Sequence, residues 1–323
     1  MHTVFVRSVW LFLSLIFANQ PAQADTYPNK PIRWIVPWPP GGGADVLARL
    51  LAAKVSEGLG QQIIIDNRGG AAGNIGAQVA AQAAPDGYTM VFAYSGTHSI
   101  NPYLYKKMPF KESDFAPVIF LTSVPQVLVV NQSVPVKSVN ELISLAKSKP
   151  GSLTYASSGN GAINHLTGEL FSSMAGIQLL HVPYKGGGPA SVALMSGEVD
   201  MIFGEPATIV QQVKSGKLKA IAVTSAKRSL GMPDLPTIGE SGVPGYEVTS
   251  WNGLLVPAKT PPEIIARLNA EFNKVLAMPD MRQRLIERGF EPVGGEPERF
   301  ARHIQAELAK WGPVVRKTGI SID

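Results

Sequence analysis

The feature that most constrains this chain is a repeated unit: a short apolar run, a loop of glycine, serine and proline, then a helical pattern. The first unit is PIRWIVPW, PPGGG and ADVLARLLAAKVSEGLG. In it Leu47, Leu50, Leu51 and Val55 fall at helical spacing, and Gly58 and Gly60 are expected to stop the helix. QQIIIDN leads through RGGAAG into a small-residue helix, and TMVFAY ends in SGTHSINP. SLTYASS passes through GNGA into INHLTGELFSSMAG, and QLLHVPY through KGGG into PASVALMSG, where Pro189 suits a first helical position. VDMIF passes through GEP into ATIVQQVKSG, and LKAIAVTS closes the series. Strands alternating with helices specify an α/β protein with a mainly parallel sheet. In such sheets ligands gather beyond the carboxyl ends of the strands, where these loops lie.

From Thr260 onward the pattern is helices only, each with proline near its first turn: PPEIIARLNAEFNKVLA, PDMRQRLIERG and PERFARHIQAELAKWGPVVRK. Two runs, Val118 to Gln132 and Val248 to Ala258, read as passages between domains. If both cross, lobe 1 is discontinuous, residues 25–125 plus 226–323, and lobe 2 is residues 126–225, with a ligand cleft between them. The first 24 residues carry Arg7, an apolar stretch from Val9 to Ala18 and the Ala22-Gln23-Ala24 cleavage pattern. That stretch is too short to span a bilayer, so a secretory signal cut after Ala24 is expected, with export of the mature chain.

The chain of 323 residues has no cysteine, which excludes disulfides, thiolate zinc sites and cysteine nucleophiles. The formal charge is +5, but the lysines and arginines are scattered and no aromatics interleave with them, so no nucleic acid partner is expected. The G-x-x-x-x-G-K-[ST] phosphate loop is absent, and Gly41-Gly42-Gly43-Ala44-Asp45-Val46 lacks the last glycine of G-x-G-x-x-G. No G-x-S-x-G elbow occurs, and the five histidines include no H-E-x-x-H pair. No cofactor, metal or catalytic residue is therefore expected.

Helix N-termini carry about half a positive charge and as many as four unpaired N–H donors. Glycine lets an anion approach that backbone closely. Gly41, Gly42 and Gly43 thus form one candidate anion cradle, and Ser158, Gly159, Asn160 and Gly161 a second. The bland alternative is that both are tight connecting loops. Asp45 either meets the ligand or holds loop amides, and His165, in the first turn of its helix, is either a neutral donor to ligand or a buried structural residue. His181, in a strand, reads as structural. Tyr184 and Lys185 offer a hydroxyl and a cation, against a packed tyrosine beside a surface lysine. Trp38 and Trp251 either wall the cleft or sit in the core. Glu205 either pairs a ligand ammonium, locks the lobes, or caps the ATIVQQV helix.

Six blocks in order carry a family resemblance: YPNKPIRWIVPWPPGGGAD, DNRGGAAGNIGAQVAAQAAPDGYT, YASSGNGAINHLTGELF, HVPYKGGGPA, MPDLPTIGESGVPGYE and WNGLLVPAKTPPEIIARLN. From Tyr27 to its end the chain resembles the Bordetella uptake gene (Bug) receptors, the periplasmic solute-binding receptors of tripartite tricarboxylate transporters. The resemblance implies a hinged two-domain Venus-flytrap fold of type II. It also implies a ligand carboxylate gripped by backbone amides and ordered waters. Carried over, PPGGGAD points to Gly41, Gly42, Gly43 and Asp45, and the loop after the PDGYT strand to Ser95, Gly96 and Thr97. SSGNGAINH points to Ser158, Gly159, Asn160 and His165, and HVPYKGG to Tyr184, Lys185 and Gly186. Trp38 stands where many relatives carry phenylalanine. Shape at Trp38, Tyr184, Phe203 and Glu205 is expected to choose the ligand. The function this implies is capture of a small organic acid by a monomer and its delivery to membrane components of the transporter. The rivals are an exported α/β enzyme with His165 as general base, and a sensory adaptor.

Overall fold

The computed structural model describes residues 27–322. The expected signal lies outside the described residues, and among these no helix is long and apolar enough to cross a membrane. The chain opens with β1 (Ile32–Val36), α1 (Gly43–Leu59), β2 (Ile63–Asn67), α2 (Asn74–Ala81) and β3 (Thr89–Tyr94). A π-helical turn, Gly96–Ile100, runs into α3 (Asn101–Leu104) where the sequence suggested only a loop. Then come β4 (Phe115–Pro125), β5 (Val127–Asn131), α4 (Val139–Ser148), β6 (Thr154–Ser157), α5 (Ile163–Ala175), β7 (Leu180–Pro183) and α6 (Gly187–Ser196). The order continues with β8 (Met201–Gly204), α7 (Pro206–Lys214), β9 (Leu218–Val223), β10 (Thr249–Pro257), α8 (Pro262–Ala277) and α9 (Pro279–Glu287). A two-residue strand, β11 (Glu291–Pro292), interrupts the expected all-helical tail before α10 (Pro297–Thr318).

Two sheets result, ordered β11-β4-β10-β3-β1-β2 and β7-β6-β8-β5-β9. β1 lies parallel to β2 and β3, and β6 parallel to β7 and β8. Neither sheet is purely parallel. β10 is antiparallel to β3 and β4, and β5 to β8 and β9. The cause is topological: β5 and β10 each enter a sheet at the crossing and run away from it, whereas β1, β3, β6, β7 and β8 end facing it. That arrangement delivers the carboxyl-terminal loops of both sheets to one cleft.

The crossings are bound to each other. Gln126, the single residue between β4 and β5, donates its N–H to Thr224 Oγ1 (2.8 Å) and accepts from Thr224 N–H (2.9 Å). Thr224 in turn donates its hydroxyl to the Val248 carbonyl at 2.6 Å. Residues 224–248 thus begin and end at the same point. Met232 and Leu235 pack on the cluster around β8, and Ile238, Val243 and Tyr246 join the cluster of Leu128, Tyr155 and Phe203. The last helix also serves both sheets: Phe300 and Ile304 pack with Ile35 and Trp251, while Trp311 and Val315 pack with Tyr155 and Phe171. These stretches belong to lobe 1 as drawn from the sequence, yet part of their apolar surface is buried against the second sheet.

On the first sheet, α1 presents Leu47, Leu51 and Val55 to Trp34 and Phe92, with Leu268 and Phe272 of α8 beside them. The helix does not stop at Gly58. It runs through to Leu59, and Gly60 ends it at φ 68°. Gly58 is there because any Cβ would lie 2.0 Å from Glu271 Oε2, so its missing side chain lets α8 close on α1. The α6 helix starts at Gly187, which makes Pro189 its third residue, and Pro262, Pro279 and Pro297 open the three tail helices as their pattern predicts.

Candidate functional site

The β1–α1 loop brings Trp38 to Gly43 to the cleft, and Asp45 gives it its shape. Asp45 is 3% exposed, and its carboxylate accepts from Gly41 N–H (2.9 Å), Arg49 Nε (3.0 Å) and Asn67 Nδ2 (3.0 Å). Asn67 also donates to the Trp38 carbonyl at 3.0 Å, so strand β2 steadies the loop from the side. The hydrogen bond from Arg49, helped by those of Gly41 and Asn67, holds the Asp45 pKa down to about 2 against the opposing effect of burial. Every donor near this carboxylate belongs to the loop's own scaffold. Asp45 is a support of the cradle, a correction to its expected role as a ligand contact. Gly41 takes φ 84°, which only glycine adopts without strain.

The β6–α5 loop repeats the device with different chemistry. Gly161 N–H donates to His165 Nδ1 at 3.1 Å, which places the imidazole proton on Nε2, 3.8 Å from Glu169. Ser158 donates both N–H (3.1 Å) and hydroxyl (3.0 Å) to Asn164 Oδ1, and Ser157 Oγ accepts from Gly159 N–H at 3.1 Å. The His165 ring stacks on His181 at 3.7 Å and 9°, and His181 Nε2 shares a 2.6 Å hydrogen bond with Ser157 Oγ. Burial keeps both rings neutral. It lowers the His165 pKa, with Glu169 opposing, and pushes His181 down to about 4 with the help of His165. With Nδ1 committed to Gly161, His165 has no free lone pair for a substrate proton, and it too supports a loop.

Other expected contacts are spent in the same way. Thr97 is buried and donates to the Ala72 carbonyl (2.9 Å). The Tyr184 hydroxyl donates to Glu198 (2.8 Å), and Gly186 N–H donates to the Ser158 carbonyl (3.2 Å), tying the two lobe 2 loops together. Trp251 and Phe203 are fully buried core residues, so neither shapes the cleft. Lys185 is exposed.

A cavity of about 1570 Å³ separates the lobes. Of the residues singled out from sequence, Trp38, Gly41, Gly42, Gly43 and Glu205 line it. Asp45, Ser95, Gly96, Thr97, Ser158, Gly159, Asn160, His165, Tyr184, Lys185 and Gly186 sit at or behind the neighbouring strand ends and are not among its walls. Sequence reasoning missed Tyr94, Ser250 and Asn252, which line the cavity beside the crossing. Tyr94 had a signal, since it is the last residue of a strand whose loop was already singled out. Ser250 and Asn252 had none. The Trp38 ring meets Tyr94 edge to face at 5.2 Å. The Tyr94 hydroxyl lies near those of Ser95 and Ser250, though not in hydrogen-bonding geometry.

Glu205 occupies the N-cap position of α7, yet makes no side-chain cap bond. The capping role expected of it is overturned. Its side chain is open to water in the cleft but ringed by protein, and this desolvation raises its pKa. Among the described α-helices only α4 has a side-chain cap, from Ser138, so an uncapped end does not by itself mark the cleft; α1 and α7 are the uncapped helices whose first turns line the cavity. Among the described residues no group of acidic and histidine side chains is arranged to hold a metal ion.

The chain matches the model of the tripartite tricarboxylate transporter family receptors over residues 47–320. It is 35% identical to protein BugT of Bordetella pertussis over 322 residues, 99% of each chain. Among solved structures it is similar to R. palustris Rpa4515 with adipate: 40% identity, 91% of this chain and 99% of that one covered, TM-score 0.77. It is also similar to MatC (Rpa3494) from Rhodopseudomonas palustris with bound malate: 34% identity, 90% and 100% covered, TM-score 0.73. With its two sheets, bound crossings and shared cleft, the chain belongs to the tripartite tricarboxylate transporter receptor family.

Proposed function

We propose that this receptor binds a small organic acid in the cleft, with the acid's carboxylate on the bared amides of the Gly41–Gly43 loop. The Ser158–Asn160 loop approaches from the opposite lobe as the cleft closes. The observation that carries this reading is the Gly41–Gly43 loop, which lines the cavity with its backbone while Asp45, behind it and outside the cavity wall, holds the Gly41 amide in place. Preorganised amides lose little freedom on binding, and each hydrogen bond to a charged carboxylate contributes about 1.5–3 kcal/mol. Three or four of them suffice for micromolar affinity, about −8 kcal/mol. Ligand stabilises the closed arrangement by its differential affinity for it. The adipate and malate of the two relatives support an acid of this size. Residues 25–125 with 226–323, and 126–225, are the two lobes that close. The chain works as a monomer in the periplasm after its signal is cut behind Ala24, and hands its cargo unaltered to the membrane components of a tripartite transporter. His165 being committed to Gly161 favours binding without turnover over an exported α/β enzyme that acts on a carboxylate with His165 as general base.

Gly42→Pro tests the cradle. Gly42 sits at φ −75° and ψ 167°, which proline adopts, and a Cβ there meets only the Pro39 carbonyl at 3.6 Å. The substitution removes one N–H, and an unchanged melting temperature controls for strain of the proline ring on Gly41. Titration calorimetry with a panel of C4 to C6 dicarboxylates should show about tenfold or greater loss of affinity for any acid that binds the wild type, at unchanged melting temperature. Unchanged affinity would place the carboxylate elsewhere, and chemical conversion of the recovered acid would establish an enzyme.

A further inference from the structure

The cleft carries a charge that the capture of an acid does not call for. Glu205 lines the same cavity as Gly41–Gly43, and no ion pair or hydrogen bond engages its side chain among the described residues. Neither cation of the cavity lining pairs with it: Lys214 stands nine residues on in the last turn of α7, about 13.5 Å along the helix axis, and Arg288 donates from its guanidinium to the Arg284 carbonyl at 3.1 Å. Glu205 shares the lining of one cavity with Trp38 and Tyr94, whose rings meet edge to face, and its charge helps burial raise the pKa of the Tyr94 hydroxyl. A carboxylate beside two electron-rich rings in a partly desolvated cleft is a receptor for a cation, because rings and carboxylate attract it together. A second carboxylate in the same place meets like charge, and enters only if a proton comes with it.

Resting on the acid-receptor reading above, we propose that the cargo is a zwitterion. Its carboxylate lies on the Gly41–Gly43 amides, and its cationic nitrogen lies against Glu205, Trp38 and Tyr94. Glu205 is then the residue that sets specificity, favouring an amino-acid-like or betaine-like solute over a dicarboxylate of equal length.

Matched pairs of equal length test this by calorimetry at pH 7: succinate with 4-aminobutanoate, and adipate with 6-aminohexanoate. At the chain length that binds best, the aminocarboxylate should bind about tenfold or more tightly than the diacid. Glu205→Gln should abolish or reverse that preference while the melting temperature and the affinity for the matching simple monocarboxylate stay unchanged. A wild type that prefers the diacid, or a preference that Glu205→Gln leaves intact, overturns the proposal while the acid-receptor reading stands. Failure of every acid and aminoacid probe to bind overturns both.

Discussion

The two glycine loops solve one problem with opposite electrostatics. In each, a side chain in the first turn of the following helix accepts the N–H of the glycine four residues earlier: Asp45 from Gly41, and His165 from Gly161. In lobe 1 the acceptor is a full negative charge, neutralised locally by Arg49 and Asn67. In lobe 2 it is a neutral imidazole stacked on a second imidazole. Both arrangements freeze the backbone so that the remaining amides point outward. They differ in what they withstand. A carboxylate held near pKa 2 keeps its acceptor through mild acid, while an imidazole pair that must stay neutral does not. The lobe 1 loop is therefore the more rigid anchor, and the lobe 2 loop the conditional one.

The hardest blow to this comparison is Asp45→Ala. It strips three donors of their shared acceptor and leaves Gly41 N–H and one N–H of the Asn67 amide without a partner, the other still donating to the Trp38 carbonyl. Arg49 is half exposed, so its own loss is screened, and the cost rests mainly on the part-buried neutral donors. Urea unfolding should show a loss of about 1–2 kcal/mol, and acid binding should weaken about tenfold or more as the loop relaxes. A variant that unfolds and binds like wild type would mean that the loop holds its shape without Asp45.

Acid separates the two loops without a mutation. His181 titrates near 4 in the folded protein and near 6.5 when unfolded, so the unfolded chain binds more protons between those values. Its contribution is complete above pH 6.5 and is lost as pH falls toward 4. His165 and His303, also lowered by burial, act with the same sign. Asp45 has a lowered pKa of the other kind of group: its contribution is complete above about pH 4 and is lost only as pH falls toward 2. Between pH 7 and 5 stability should drop by about 1–2 kcal/mol after allowance for solvent around the half-buried ring. Protection factors, corrected for the intrinsic pH dependence of exchange, should fall at the Gly159 and Gly161 amides and stay unchanged at the Gly41 amide held by Asp45. His181→Phe, which keeps a stacked ring, should flatten the profile. Equal loosening of both loops would erase the distinction.

Much of this was legible in the residues. The alternation of apolar runs and helical patterns placed every helix that faces the cleft, and Gly41–Gly43 needed only their position after a strand. The division of roles inside the loops was not legible. Whether Asp45 points at ligand or at its own loop depends on Asn67 and Arg49, which only the β1–β2 pairing and the turn of α1 bring near. Phe203 read as a cleft residue because β8 is buried on both faces, and a strand without alternation gives no hint of which side each residue takes. Glu205 read as a cap because it precedes Pro206 at a helix start, and nothing local reveals that its side chain turns away from the helix. Tyr94 and Ser250 meet only because an antiparallel strand returns from the far lobe to lie beside β3.

The smallest effect sharpens the comparison by lying outside it. Ser138 caps α4 by accepting Glu141 N–H at 3.2 Å, while Glu141 accepts Lys137 N–H at 2.7 Å. This end of a helix has its donors satisfied by the chain itself. Ser138→Ala should cost about 1 kcal/mol in urea unfolding and leave acid affinity unchanged. The α1 end lines the cleft without such a serine, so installing one there, as in Gly42→Ser, should have the contrary signature. A hydroxyl competing for the amides would add little stability and would weaken the acid. Should Gly42→Ser instead bind as tightly as wild type, with the few tenths of a kcal/mol that serine gains over glycine at any helix start, those amides would be ordinary helix ends and would carry no function.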